Sequence, residues 1–280
     1  MGTVFVSALA LAVGAYVLFL VVLFSFQSSL LYHPDRSAED ITLSGLDVMQ
    51  PIKARSADGI DLLSWYSKGK SNQPIVVYLH GNAGNIGSRG HKVRPFLDVG
   101  FGVLLVGYRG FGTNSGKPNE KGLYADARAA LSWLVEKSES ERLIILYGES
   151  LGTAVATNLA AELASMGTPA AALILEAPFP TLASVAKYHY PFVPVKWLLK
   201  DHFDQSSRIS KIQAPVLIFH GDQDKTIPIS LGKAFFEKAL MPKQSKWFEG
   251  AGHNNLFDYG AGEMCVNFIK EITSQSPSIE

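Results

Sequence analysis

Five short apolar runs between residues 75 and 219 constrain the fold more than any other feature of the sequence. They are rich in β-branched residues and apolar throughout, so each predicts a strand that is buried on both faces. Helical patterns separate the runs, and this alternation indicates an α/β fold, a mostly parallel sheet covered by helices on both faces. The runs cover residues 75–79, 103–106, 143–147, 172–175 and 216–219. A turn at Ala57-Asp58-Gly59 predicts a hairpin before them.

The segment 179–213 interrupts this alternation. It contains several prolines and is too long for a simple connection between two elements. We interpret it as a short helical cap inserted over the carboxyl edge of the sheet. Its aromatic residues are Tyr188, Tyr190, Phe192, Trp197 and Phe203.

Residues 4–26 are almost wholly apolar, and no charged residue precedes Asp35. As a helix this segment would be about 34 Å long, enough to cross a hydrocarbon layer of about 30 Å. A cleaved signal peptide is the alternative, but such peptides usually have a basic region and a shorter apolar core. We predict a single-pass transmembrane anchor over residues 1–30 and a domain over 31–280. Arg36 lies beside acidic residues, so the side of the membrane is not predicted.

Charge and cysteine content narrow the possible partners. Lys and Arg total 25 and balance 25 Asp and Glu, which argues against nucleic acid as a partner. Cys265 is the one cysteine, so neither an intrachain disulfide nor a cysteine metal cluster can form.

The motif Gly148-Glu-Ser-Leu-Gly152 lies between the predicted strand at 143–147 and an alanine-rich helical segment at 151–166. This is the context of the G-x-S-x-G nucleophile elbow, whose turn is too tight for side chains two residues from the serine. The turn places the serine at a helix N-terminus, where partial positive charge favours an alkoxide or oxyanion. Ser150 is therefore the candidate nucleophile, and the alternative is a serine that only caps the helix.

A serine nucleophile needs a base, and the base needs an acid that orients it. His253 follows the last predicted strand, as the chain order serine, acid, histidine requires. Asp222 and Asp224 both follow the strand at 216–219, and we favour Asp224, with Asp222 holding the loop. His220, at the end of that strand, is interpreted as structural.

An oxyanion intermediate needs two N–H groups aimed at it. One is expected from Leu151, directly after the nucleophile, and the other from the loop after an early strand. Asn82 follows the strand at 75–79 and is our second donor. One such donor typically contributes about 3 kcal/mol of transition-state stabilisation.

These motifs occur in a defined order, after an apolar segment that continues as Leu31-Tyr-His-Pro34. They are His80-Gly-Asn-Ala-Gly-Asn85, Tyr108-Arg-Gly-Phe-Gly112, Gly148-Glu-Ser-Leu-Gly152, His220-Gly-Asp-Gln-Asp224 and Gly252-His253. Together they resemble the single-pass, membrane-anchored α/β-hydrolases of bacteria and eukaryotes. The resemblance implies the α/β-hydrolase fold, and hydrolysis of an ester or thioester without metal or organic cofactor. It also implies a triad and two oxyanion donors, at Ser150, Asp224 and His253 and at Asn82 and Leu151.

The substrate stays open at this point. If the aromatic cap supplies an apolar acyl pocket near a bilayer, the substrate is a lipophilic ester or thioester. If the cap only packs on the sheet, a short-chain ester is equally expected.

Two other classes of protein compete with a hydrolase. A catalytically silent binding or scaffold protein can share the fold, but no triad residue is missing. A nucleotide-binding enzyme would use the glycine-rich segment 81–87, with Arg109 after the next strand, but the spacing is not G-x-G-x-x-G. Arg109 is interpreted as architectural, with binding of an anionic substrate as the alternative.

Overall fold

The computed structural model describes residues 2–137 and 143–275. Within them the strands and helices alternate along most of the chain. The strands are β1 (His33–Pro34), β2 (Gln50–Arg55), β3 (Asp61–Ser67), β4 (Ile75–Leu79), β5 (Ala83–Gly84), β6 (Gly102–Val106), β7 (Ile144–Glu149), β8 (Ala172–Glu176), β9 (Val216–Gly221) and β10 (Lys243–Phe248). The helices are α1 (Gly2–Leu31), α2 (Gly90–Asp98), α3 (Glu120–Glu136), α4 (Gly152–Ser165), α5 (Leu182–His189), α6 (Val195–Leu198), α7 (Ser206–Ile209), α8 (Ile229–Phe236) and α9 (Ala261–Gln275).

The central sheet has eight strands in the order β10-β9-β8-β7-β4-β6-β3-β2. The strands from β10 to β6 are parallel, and β3 and β2 join the β6 edge antiparallel. Each of the five apolar runs lies in a parallel strand, and β2 and β3 form the predicted hairpin. The mostly parallel α/β sheet predicted from the sequence is therefore confirmed.

The strands are apolar on both faces because two cores cover the sheet. Along β4, Ile75, Val77 and Leu79 face a core that includes residues of α3, α4 and α8. Val76 and Tyr78 face the opposite core, which includes residues of α2 and α9. Neighbouring side chains of a strand point to opposite faces, so a strand between two helical layers has no polar face.

Helix α1 is, among the described residues, the one helix long and apolar enough to cross a membrane, with a mean hydropathy of 2.6. It runs to Leu31 and packs against the cap, so the boundary drawn at residue 30 stays a prediction. The cap segment forms three short helices, α5 to α7. The sequence also predicts a frayed tail from Ser274 to Glu280. Helix α9 continues to Gln275, and residues 276–280 lie outside the described residues.

Candidate active site

Ser150 lies on the tight turn between β7 and α4, with a φ of 51°. Its main-chain N–H donates to the carbonyl of Glu176 at 2.9 Å, which holds the turn against β8. A Cβ on Gly152 would lie 2.0 Å from the carbonyl oxygen of Leu79, and one on Gly148 would lie 2.6 Å from that of Gly152. Close approach of the backbone therefore explains both glycines, and the strained serine is held by its surroundings.

Three of the predicted side chains form one hydrogen-bonded series. The Nε2 atom of His253 lies 3.0 Å from the Oγ atom of Ser150, and its Nδ1 atom lies 2.6 Å from Oδ2 of Asp224. The carboxylate accepts, so Nδ1 carries the proton and Nε2 accepts from the serine hydroxyl. The arrangement can pass the serine proton to His253 while Asp224 orients the ring.

The loop after β9 distinguishes the two candidate acids. Oδ1 of Asp224 accepts the main-chain N–H groups of Thr226 and Ile227, both at 2.8 Å. Burial alone would raise the pKa of Asp224, but hydrogen bonds from His220 and His253 hold that pKa well below its usual range. Asp222 is exposed and accepts the N–H of Gly250 at 2.8 Å, so it braces the loop, as the sequence suggested.

The structural interpretation of His220 fits its contacts. Its Nε2 atom lies 3.0 Å from Oδ2 of Asp224 and 2.8 Å from the carbonyl oxygen of Ile227. Both partners are acceptors, so Nε2 must carry the proton. His220 thus donates to the same carboxylate oxygen of Asp224 that His253 contacts.

The loop carrying Asn82 approaches the nucleophile closely, since a Cβ on Gly81 would lie 3.3 Å from the Cβ atom of Ser150. The main-chain N–H groups of Asn82 and Leu151 have no acceptor among residues 2–137 and 143–275. The side chain of Asn82 donates instead to the carbonyl of Leu31 at 2.5 Å. The end of α1 is therefore in direct contact with the proposed oxyanion loop.

A buried charge cluster that the sequence motifs do not predict lies beneath the elbow. Glu149 contacts Arg89 at 3.1 Å and Lys92 at 3.2 Å, and Lys92 contacts Glu176 at 2.7 Å. Burial would raise the pKa of Glu149, but Lys92 and Arg89 hold it well below its usual range. Arg89 also donates to the carbonyl of Ala83 at 2.9 Å, so the cluster joins the elbow to the oxyanion loop.

Arg109 contacts acidic residues and a hydroxyl rather than an open site. Its guanidinium lies 2.7 Å from Asp126, 2.6 Å from Asp58 and 3.2 Å from the hydroxyl of Ser56. These contacts support the architectural interpretation over the binding of an anionic substrate.

His80, at the end of β4, is a buried neutral histidine. Its Nδ1 atom lies 2.8 Å from the carbonyl oxygen of Gly81, and its Nε2 atom has no partner among the described residues. Its ring packs on those of Tyr108 and Phe111, with centroids 4.4 and 5.1 Å away. Burial and the nearby Arg89 charge lower the pKa of His80 from 6.5 to about 3.

We expect this burial to make the fold sensitive to mild acid. Because folding lowers the pKa of His80 from 6.5 to about 3, between these pH values the unfolded chain binds a proton at His80 that the folded chain does not. The free energy of unfolding is therefore at its full value above pH 6.5 and decreases as the pH falls towards 3. From pH 7.5 to pH 5 the free energy of unfolding should drop by about 2 kcal/mol from this residue. Urea unfolding at the two pH values measures it. His80→Gln should remove most of that drop and exposed His91→Gln should not; a drop unchanged in His80→Gln would contradict the expectation.

An apolar cavity of about 470 Å³ leads away from Ser150 and His253. Aliphatic side chains of the cap and of α1 line it, among them Val185, Val193 and Leu23, and its charged lining residues include Arg89, Glu149 and Asp201. The hypothesis that the cap aromatics supply this pocket was wrong for most of them. Of the aromatic residues singled out in the cap, Tyr190 lines the cavity, while Tyr188, Phe192 and Trp197 are exposed and Phe203 is in the core.

A parallel sheet with a serine at the strand–helix elbow, followed in the chain by an acid and a histidine, defines the α/β-hydrolase class. The family model described as alpha/beta hydrolase fold matches residues 74–201. Uncharacterized protein Rv2307c of Mycobacterium tuberculosis is 37% identical over 276 residues, which cover 97% of this chain and 94% of that protein. The chain belongs to the α/β-hydrolase family, and the resemblance drawn from its motifs is confirmed.

Other similar proteins include enzymes. Lysophosphatidylserine lipase ABHD12 of Danio rerio is 37% identical over 196 residues, covering 64% of this chain and 51% of that protein. The chain thus spans about half the length of that relative. The Pyrococcus furiosus esterase PF2001 matches in fold, with a TM-score of 0.69, 18% identity and coverage of 87% of this chain and 98% of that one. The protein is accordingly a hydrolase with an N-terminal helix suited to membrane association.

Proposed function

We propose that this protein is a membrane-anchored serine hydrolase that cleaves a lipophilic carboxylic ester or thioester through an acyl-enzyme intermediate. One observation carries the proposal: Ser150, His253 and Asp224 are hydrogen-bonded in series, and Ser150 and His253 line an apolar cavity. A binding or scaffold function does not require a hydroxyl, an imidazole and a carboxylate hydrogen-bonded in this order, whereas nucleophilic catalysis by a serine does.

In the first step, the Oγ atom of Ser150 attacks the acyl carbonyl carbon and its proton moves to Nε2 of His253. Asp224 stabilises the resulting imidazolium, since its carboxylate remains ionised. The N–H groups of Leu151 and Asn82 hold the oxyanion of the tetrahedral intermediate. His253 then returns the proton to the leaving alcohol or thiol, and the acyl group stays on Ser150.

In the second step, water takes the place of the leaving group. His253 removes a proton from the water, whose oxygen attacks the acyl carbonyl carbon. The tetrahedral intermediate collapses, the proton passes to the Oγ atom of Ser150, and a carboxylic acid is released. These steps are carried by side chains and main-chain N–H groups of the chain itself.

The cavity favours a lipophilic acyl group. Aliphatic side chains of α1 and the cap line it. Transfer of an acyl chain from water into the cavity would be favourable by about 0.8 kcal/mol for each CH₂ buried. The relative named lysophosphatidylserine lipase acts, by its name, on a lipid with one acyl chain. A monoacyl lipid ester is therefore the substrate class that we propose. Helix α1 would hold the hydrolase at the bilayer as a single-pass anchor.

We expect kcat/KM on aryl esters to rise from the acetyl to the octanoyl ester by at least about tenfold, because each CH₂ that enters the cavity leaves water. The series is measured with the full chain in detergent micelles. A preference for the acetyl ester would reject the lipophilic substrate and leave the serine mechanism in place.

The role of Ser150 as nucleophile is tested by probe labelling together with the same ester assay. A fluorophosphonate probe should label the wild type. It should also label the control variant Ser165→Ala, which removes an exposed hydroxyl at the end of α4. Ser150→Ala should lose both the labelling and the hydrolysis of every ester. Labelling that persists in Ser150→Ala would refute Ser150 as the nucleophile.

A further inference from the structure

The cap lies along the C-terminal half of α1 and is bonded to it at two levels. The hydroxyl of Tyr16 donates to the carbonyl of Phe192 at 2.6 Å. Eleven residues further along α1, the side chain of Gln27 donates to the carbonyl of Leu198 at 3.1 Å and accepts the N–H of Lys200 at 2.7 Å. The anchor helix is therefore a packed part of the hydrolase and not a free tether.

These contacts fix how deep the cap would lie in a bilayer. The apolar run of α1 ends at Phe26, and Tyr16 precedes it by about 15 Å along the helix axis. That distance is about half of a hydrocarbon layer of about 30 Å. When α1 spans the membrane, a residue bonded to Tyr16 must lie well inside the hydrocarbon, and Phe192 is such a residue.

The surface of the cap fits that depth. Phe192 is 89% exposed between Pro191 and Val193, and Trp197 is 88% exposed between Lys196 and Leu198. Large apolar side chains this exposed mark a surface that water does not normally cover. Lys200 lies near the end of the apolar run, with Nζ 4.5 Å from the centroid of the Phe24 ring, where its long side chain reaches the headgroups.

The cavity reaches the same surface. Leu23 and Phe24 of α1 and Val193 and Leu198 of the cap line it together with Ser150. These residues leave an apolar path from the side of α1 to the nucleophile.

Building on the proposed function, we propose that the cap tip around Phe192 and Trp197 is inserted in the bilayer. The acyl chain of a lipid in the same leaflet then enters the cavity sideways, between α1 and the cap. The anchor helix forms one wall of the acyl site, and the enzyme takes its substrate from the membrane in preference to dissolved esters.

Spin labels test the depth without any activity assay. A nitroxide on Phe192→Cys is compared with one on Val13→Cys in α1 and one on Ser165→Cys at the exposed end of α4, in full-length protein in phosphatidylcholine vesicles. The native Cys265 is fully buried and is left unchanged. We expect the labels at 13 and 192 to collide with oxygen and to be shielded from a water-soluble nickel complex, with the label at 165 open to the complex.

The outcomes separate the two proposals. A lipid-facing label at 13 with a water-exposed label at 192 would overturn the inserted cap and leave the proposed function intact. A water-exposed label at 13 would remove the anchor and the inserted cap together. Hydrolysis that survives in Ser150→Ala would refute the proposed mechanism, whatever the labels report.

An activity measurement tests the route of the substrate. In Phe192→Asp with Trp197→Asp, turnover of a long-chain monoacyl ester in the vesicle should fall at least about tenfold, because two charges would draw the tip out of the hydrocarbon. Turnover of a water-soluble acetyl ester should stay within about twofold, since neither residue lines the cavity. Equal losses on both esters, or no loss on either, would overturn the proposal.

Discussion

His253→Ala is expected to lower kcat by at least about 10⁴, and Ser150→Ala by a similar factor, on the best ester of the chain-length series. The alanine removes the group that accepts the serine proton at 3.0 Å, so attack would have to proceed from a neutral hydroxyl. The double variant should lose no more than the single ones, because either change already disables the same step. Steady-state rates of the three variants measure this directly.

His189→Ala is the matched control for His253→Ala. His189 also lines the cavity, but its Nε2 atom contacts the carbonyl of Thr226 at 2.8 Å. We expect its kcat to stay within about fivefold of the wild type, since it moves no proton in the reaction. If the losses in Ser150→Ala and His253→Ala multiplied in the double variant, the two residues would be acting independently and the proposed mechanism would be wrong.

The sequence predicts the sheet well because burial on both faces leaves a strong local signal. A strand between two helical layers has no polar face, and the run from Ile75 to Leu79 shows this directly. The elbow is equally readable, since the close approach of Gly152 to β4 admits no side chain. Spacing along the chain therefore indicates where the triad candidates meet, although not their distances.

Contacts between distant segments leave no such signal. Glu149, Lys92 and Glu176 are charged residues in ordinary sequence surroundings, and their burial together follows only from the packing of α2 against the sheet. The orientation of the cap aromatics could not be predicted for the same reason. The aromatic residues of the cap suggest a pocket, but which side chains line that pocket depends on how the cap packs against α1. Aliphatic side chains of α1, such as Leu23 and Leu30, line the cavity.

Asp224→Asn is expected to lower kcat by about 10³ to 10⁴, while Asp222→Asn should stay within about threefold of the wild type. Asp224 accepts the Nδ1–H of His253 at 2.6 Å. An asparagine amide can donate there and turn the imidazole to the tautomer whose Nε2 carries a proton, so it no longer accepts from the serine. Among the described residues, the side chain of Asp222 accepts one hydrogen bond, from the N–H of Gly250. An amide oxygen can keep that bond.

The same pair of variants separates a catalytic role of Asp224 from a structural one. Asp224 also accepts two main-chain N–H groups and a bond from His220, so its loss should cost stability as well. The asparagine oxygen can retain the main-chain bonds at Oδ1, which should keep the loss of unfolding free energy near 1 to 3 kcal/mol. Urea unfolding measures this beside the rates. A folded Asp224→Asn variant with near wild-type kcat, or an equal loss in Asp222→Asn, would contradict the assignment of Asp224 as the acid.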